Sequence, residues 1–291
     1  MKIKINLVTK QKGILLMLLS ALLFAAMQVV IHITSGHIPL MEQVFFRNIV
    51  SLVLCFIIIK RQKLSMFGEK KYQPWLFVRS CSGLLGLVSL FYAVSHAYQA
   101  DVTIISKLSP FLITLLAFIF LKEKIAKVQV PALIIAFIGG FIVANPSFHS
   151  NLFPLFIAFL CAIFSSLSYT LLAYFKDKVD AITVIMHFST FCVGVSMPFM
   201  AMNFVLPSLT DFLLLLLIGL FGGFGQIALT YSYRMAPASE ISIYNYSGII
   251  FSIILGYVIL GESVSISSII GGALVIVASM LTYQYTKPAI E

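Results

Sequence analysis

Charge is scarce in this sequence. Asp, Glu, Lys and Arg together make up 10% of its 291 residues, where an ordinary soluble domain carries about 25%. Acid is scarcer than base, with 10 Asp and Glu against 19 Lys and Arg and a net charge of +9. Hydrophobic residues fill 60% of the chain and the mean hydropathy is +1.06. One core cannot hide so much apolar surface from water, so lipid must solvate much of it. Apolar runs recur along the whole length and leave no room for a sizeable soluble domain. The positive net charge is not a nucleic-acid footprint. The cations sit in short tracts between apolar runs, and no basic face with interleaved aromatics occurs. Cysteine is limited to Cys55, Cys81, Cys161 and Cys192, all inside apolar runs and none in a C-x-x-C or metal-like spacing. They are expected to be free, buried thiols with no metal to hold.

Catalytic signatures are missing as well. No G-x-x-x-x-G-K followed by Ser or Thr is present, so no ATP-driven motor is encoded. H-E-x-x-H, G-x-S-x-G and S-x-x-K are also absent, which argues against familiar intramembrane hydrolases. No apolar segment carries several regularly spaced arginines, as a voltage sensor would. The chain is therefore expected to be no enzyme and to use no cofactor.

Ten segments have roughly the 20 apolar residues a membrane span needs: 13–34, 42–59, 74–95, 101–121, 128–145, 152–175, 180–203, 211–233, 238–260 and 265–285. Lys2, Lys4, Lys10 and Lys12 before the first resemble the start of a signal peptide. That run is too long for one and lacks an A-x-A cleavage site, so it is expected to stay as a span. Counting through ten spans places every loop Lys and Arg on the side of the N-terminus. The opposite loops, 35–41, 96–100, 146–151, 204–210 and 261–264, contain neither. Positive charge marks the cytoplasmic side, so both termini are expected there, in a multi-pass protein of the inner (cytoplasmic) membrane.

The chain also repeats itself. Shifted by 139 positions, Gly83 meets Gly222, Gly86 meets Gly225, Tyr92 meets Tyr231, Asp101 meets Glu240 and Glu123 meets Glu262. The first and sixth segments match more loosely, "LLSALLFAA" against "FLCAIFSSL". Five spans is an odd number, so the halves should sit upside down relative to each other, an architecture that places a transport site at their interface. The expected fold class is an all-α integral membrane protein of ten transmembrane helices in two inverted five-helix repeats. The expected segments are a cytoplasmic 1–12, a first repeat 13–145, an external linker 146–151, a second repeat 152–285 and a cytoplasmic tail 286–291.

Three cations lie inside spans, where each costs about 2.5–3.5 kcal/mol on insertion scales and is a functional candidate by default. Arg79 lies near the cytoplasmic end of its span and is expected to reach the interface. Arg47 has two readings, a pair with Glu42 or a place on a cavity wall. Lys107 shares one helical face with Thr103, Pro110 and Thr114. Pro110 lacks an N–H and should kink the helix, so this face is expected to line a solute cavity. Other polar faces are Gln28 and His32, then Gly222, Gln226, Thr230 and Tyr233. The ninth segment holds Asn245 and Tyr246 in a polar cluster, and the sixth holds Ser166 and Tyr169. Gly83, Gly86, Gly222 and Gly225 are expected to mediate close helix contact or hinging. No acid lies near the middle of a span. Proton coupling would fall to His32 or His187, with Asp101 and Glu240 behind them.

Longer stretches resemble the EamA-like family of the drug/metabolite transporter superfamily. They are "FFRN" around Arg47, "FYAVSHAYQADVTIISKLSPFLITLLAFIFLKEK", and its echo "LTYSYRMAPASEISIYNYSGIIFSIILGYVILGES". The resemblance covers essentially the whole chain. It implies a cavity framed by the third, fourth, eighth and ninth helices, joined by the first and sixth. It also implies a cargo such as an amino acid, cofactor, nucleotide-like metabolite or drug. Glu123 and Glu262 match an acid that ends helices in the family and is structural there. The expected activity is secondary transport of a small organic solute by a monomer or homodimer in the lipid bilayer. The rival readings are a non-transporting scaffold or receptor and, further off, a lipid-modifying membrane enzyme.

Overall fold

The computed structural model describes residues 7–121, 129–144, 152–235 and 241–286. Regular structure among them is helical throughout. The order is α1 (Leu7–Thr34), α2 (Leu40–Gln62), α3 (Gln73–His96), α4 (Gln99–Ser106), α5 (Ser109–Leu121), α6 (Gln129–Ala144), α7 (Phe153–Tyr174), α8 (Ala181–Met202), α9 (Leu209–Met235), α10 (Ser247–Leu255) and α11 (Ile266–Thr286). A 3₁₀ turn leads into α3. A 3₁₀ stretch, Ser242–Tyr246, precedes α10, and a π-helical turn, Gly256–Leu260, follows it.

Six helices among the described residues are long and apolar enough to cross a membrane: α1, α2, α3, α7, α8 and α9. Shorter apolar helices run over Val130–Ile142, Tyr244–Leu260 and Ile266–Ala278. Large side chains such as Leu15, Phe141, Leu213 and Val258 point outward from the bundle, as they should when lipid rather than water surrounds it.

The fourth segment departs from expectation. The sequence predicts one kinked helix over 101–121, but α4 and α5 are separate helices that meet at Lys107 and Leu108. The cause is Pro110, whose ring would clash with the carbonyl of Ser106 four residues back and which has no N–H to give. The chain closes α4 through Lys107 N to Thr103 O (3.0 Å) and Leu108 N to Ile105 O (3.0 Å), then restarts through Phe111 N to Leu108 O (3.2 Å). The ninth segment is also irregular. After its π-helical turn it ends on Gly261 at φ +68°, a left-handed conformation that glycine reaches without strain.

Helix partners come in matching sets. α1 lies along α9 and α3 along α7; α2 faces α8 and α6 faces α11; α4 and α5 lie on α7 while α10 lies on α1. Glycines mark the closest approaches. A Cβ on Gly83 would meet Phe188 and Ser168, and one on Gly222 would meet Arg47 and Met27. Gly86 faces Ser165, and Gly225 faces Phe24. The glycines are related by 139 positions (83 to 222), and their neighbours by 141 (47 to 188, 27 to 168, 24 to 165). The loose match of the first and sixth segments thus has a contact-by-contact counterpart, offset by two residues.

Candidate functional site

A polar cavity lies where α1, α2, α3, α7, α8 and α9 converge on the two interrupted segments. Its volume is about 100 Å3, and it is partly open to solvent. Lys107 reaches it from the gap between α4 and α5. Its Nζ donates to Asn245 Oδ1 at 2.7 Å. Asn245 belongs to the 3₁₀ stretch before α10, so both partners sit where regular helix is interrupted. Gly248 makes room for them: a Cβ there would lie 3.1 Å from Lys107 Cε and 3.2 Å from Nζ.

Two arginines complete the basic wall. Arg47 is 2% exposed and Arg79 1% exposed. Arg47 donates to Asn48 Oδ1 (2.8 Å) and to Gln226 Oε1 (3.4 Å), and its Nε has no partner. Arg79 has no partner for Nε or Nη1. Both guanidinium groups lie over the ring of Phe188, Arg79 at 4.2 Å and Arg47 at 5.4 Å from its centre. Such contacts offset part of the cost of desolvating a cation, by roughly 0.5–2 kcal/mol each.

No carboxylate lines the cavity among the described residues. Glu42 accepts instead from Val205 N (3.2 Å) at the start of α2, which decides against a pair with Arg47. His37 Nε2 pairs with Asp211 Oδ1 at 2.7 Å, away from the cavity.

Of the sequence candidates, the cavity gathers Lys107, Arg47, Gln28, Gln226, Asn245 and Tyr169, with Gly83 and Gly86 in its wall. Thr103 stands behind the wall, with Oγ1 2.9 Å from both Gln28 Oε1 and Ser252 Oγ. Tyr233 packs its ring on Tyr169, centres 6.1 Å apart, and buries its hydroxyl without a partner. Tyr246 packs on Phe111 (6.0 Å). Ser166 turns back to its own helix at Ile163 O (2.6 Å), while Ser165 and Ser168 face the cavity. His32 Nδ1 pairs with Val94 O (2.9 Å), and His187 Nδ1 with Ser80 Oγ (2.9 Å). Asp101 accepts from Ser268. Gly222 and Gly225 give close approach to Arg47 and Phe24. Pro110 sits at the helix break. Glu240, Glu123 and the side chain of Thr114 lie outside the described residues.

Arg79 corrects the sequence reading. It does not reach the membrane surface but is buried at the cavity. The signal is present in the sequence: Arg79, Gly83, Gly86 and Leu90 recur at i, i+4, i+7 and i+11, one helical face, and all four line the cavity. Phe188 has no such signal, because an apolar aromatic in a span is unremarked until a cation lies on it.

On one side of Lys107, bonds from both halves hold the first turn of α4 in place. Both carboxylate oxygens of Glu262 accept from Gln99 N at 3.0 Å. Gln99 Nε2 in turn donates to Ala25 O at 3.0 Å.

The EamA-like transporter family matches the chain twice, over residues 11–145 and 152–284. The pseudopaline exporter CntI of Pseudomonas aeruginosa is 28% identical over 279 residues, covering 95% of this chain and 98% of that protein. The S-adenosylmethionine uptake transporter of Rickettsia bellii is 27% identical over 220 residues, covering 74% of this chain and 75% of that one. A solved crystal structure superposes with a TM-score of 0.73 at 15% identity, covering 94% of this chain and 97% of its own, and shares the fold. By the match of both halves, this chain belongs to the EamA-like transporter family.

Proposed function

We propose that the protein is a secondary transporter that moves a small organic metabolite across the cytoplasmic membrane by alternating access. The observation that carries this reading is a polar cavity lined by side chains of both halves within a lipid-facing bundle. A scaffold needs no such interior. We read the architecture as ten spans in two inverted halves with both termini cytoplasmic; the exchange-related helix partners and the one-sided Lys and Arg support it. Lys107, Arg47, Arg79, Gln28, Gln226, Asn245 and Tyr169 contact the solute in this reading. Bonds such as Gln99 to Glu262 part when that side opens. His32, His187 and Asp101 are the groups for any proton coupling. Relatives named for a pseudopaline and for S-adenosylmethionine fit an organic cargo.

The test is flux. Purified protein is placed in liposomes loaded with a small-metabolite extract of the cells that express it, and the compounds lost are found by mass spectrometry. Loss of discrete compounds beyond that from protein-free liposomes is expected. Loss of none, with correctly folded protein and in either orientation, removes the reading.

A further inference from the structure

Resting on the transport reading, we propose that the solute carries at least two negative charges, one held by the Arg47 and Arg79 pair and another by Lys107. The cavity wall brings three cations together and no carboxylate among the described residues. Their near neighbours are amides and aromatics. Arg47 has Asn48, Gln226 and Phe188; Arg79 has Phe188; Lys107 has Asn245. The described acids are committed elsewhere or lie off the cavity: Glu42 accepts from Val205, Asp101 from Ser268 and Glu262 from Gln99, Asp211 pairs with His37, and Glu69, Asp177 and Asp180 are not in the lining.

The unpartnered donors identify the ligand chemistry. Arg47 Nε and Arg79 Nε and Nη1 are buried with nothing accepting from them. A guanidinium presents its donors in a flat fork that fits a carboxylate or phosphate in two-pronged fashion. Two such groups over one ring repel each other, and an anion between them relieves that repulsion as well as filling the donors. Lys107 adds a compact charge at the helix break. Its present partner is a neutral amide oxygen, which an anionic oxygen outcompetes. Gln28, Gln226 and Asn245 line the same cavity and suit polar groups along the solute. A neutral or cationic solute would leave all three charges uncompensated.

The liposome experiment decides this by the charge of what leaves. The probe is the same small-metabolite extract, with citrate and its neutral triethyl ester added as defined members. Compounds lost through the wild type are expected to bear two or more negative charges at pH 7. Their loss should fall about tenfold or more in Arg79→Gln and in Lys107→Met, with less of a fall in Arg79→Lys, which keeps charge without the fork. Export of neutral, cationic or singly charged compounds alone overturns the inference and leaves transport standing. Loss of no compound overturns transport and the inference with it. The cargo's charge is read on the wild type, so a variant that fails to fold leaves that measurement intact.

Discussion

The guanidinium of Arg47 stands 5.4 Å from the ring centre of Phe188, and these two residues hold matching posts in the two halves. Arg47 packs on Gly222, and Phe188 packs on Gly83, its repeat partner. The same exchange sets Arg79 against Ile218 and Lys107 against Tyr246 (79 to 218, 107 to 246). All three cavity cations thus come from the first half. The second supplies amides and rings: Gln226, Asn245, Tyr169 and Phe188. The frame is duplicated, and its charge is not.

Arg79→Met should separate stability from activity. Its buried donors have no partners, and an unpaired buried cation costs more than an apolar side chain of similar volume. The variant is expected to melt higher in detergent, by the equivalent of about 1–3 kcal/mol. Solute flux should fall at least about tenfold, the value of one charge-assisted hydrogen bond. Unchanged flux would place Arg79 among purely structural residues.

Lys107 and Asn245 give a second pair of tests. Lys107→Met is expected to lower flux while membrane insertion and fold stay intact. Lys107→Arg should rescue poorly, because Gly248 leaves room for a slim ammonium stem rather than a planar fork. Asn245→Asp places a carboxylate where the 2.7 Å amide partner now sits, so it should neutralise Lys107 and also reduce flux. Wild-type transport by the aspartate variant would count against an anion-binding Lys107.

Glycine substitutions test the packing. A Cβ on Gly219 would lie 2.5 Å from Val50 Cγ2 and 3.0 Å from Phe46 O, backbone that cannot swing away. Gly219→Ala should therefore destabilise by about 1–3 kcal/mol. Gly194→Ala meets nothing within 4 Å and should be neutral or gain up to about 1 kcal/mol from helix propensity. Thermal melting of both variants in one detergent reports the contrast.

Glu262 predicts a pH effect. Burial holds its carboxyl above the ordinary value of 4.5, the hydrogen bond from Gln99 N works the other way, and His32 and Asp101 are the charged neighbours. A carboxyl raised by folding favours the protonated state. Its contribution is fullest below the ordinary value and declines as pH rises through the folded one. Melting should thus drop as pH climbs from about 4.5 toward neutral, and Glu262→Gln, which keeps an acceptor for Gln99 N, should flatten that slope. A slope unchanged in the variant would assign the effect to another group.

Topology is checked by labelling. On the proposed topology a cysteine placed at 151 should react with an impermeant reagent from outside and one at 124, in the Lys-bearing stretch 122–127, should not. Of the native thiols, Cys55, Cys161 and Cys192 are buried and Cys81 is half-buried, so labelling of the unsubstituted protein sets the background. The opposite labelling pattern would invert the orientation.

Much of the fold is legible in the sequence because lipid imposes a simple code. Uninterrupted apolar runs announce the long helices, and Lys107 stands out because charge in such a run is costly. Pro110 announces a disturbance but not its extent, since a proline permits either a kink or a full break and tertiary packing chooses. Arg79 is misplaced when depth is judged by distance from the helix end. The bundle, not the helix, decides whether a side chain meets lipid, water or protein. The partner of Lys107 is out of reach for another reason. Asn245 lies 138 positions away, and the 3₁₀ stretch that aims it has no apolar periodicity to read.

The eight residues of α4 have a further consequence. Glu262 holds Gln99 at the first turn, Ser268 meets Asp101, Ser252 meets Thr103, and Asn245 takes Lys107 at the last. Each of those partners is encoded in the second half. Two residues, Ala97 and Tyr98, join α4 to α3, and a break joins it to α5. The covalent division of the chain and the pattern of its hydrogen bonds therefore differ at α4. α4 is covalently part of one half and hydrogen-bonded along its length to the other, so the ammonium of Lys107 is held by a side chain that its own half does not encode.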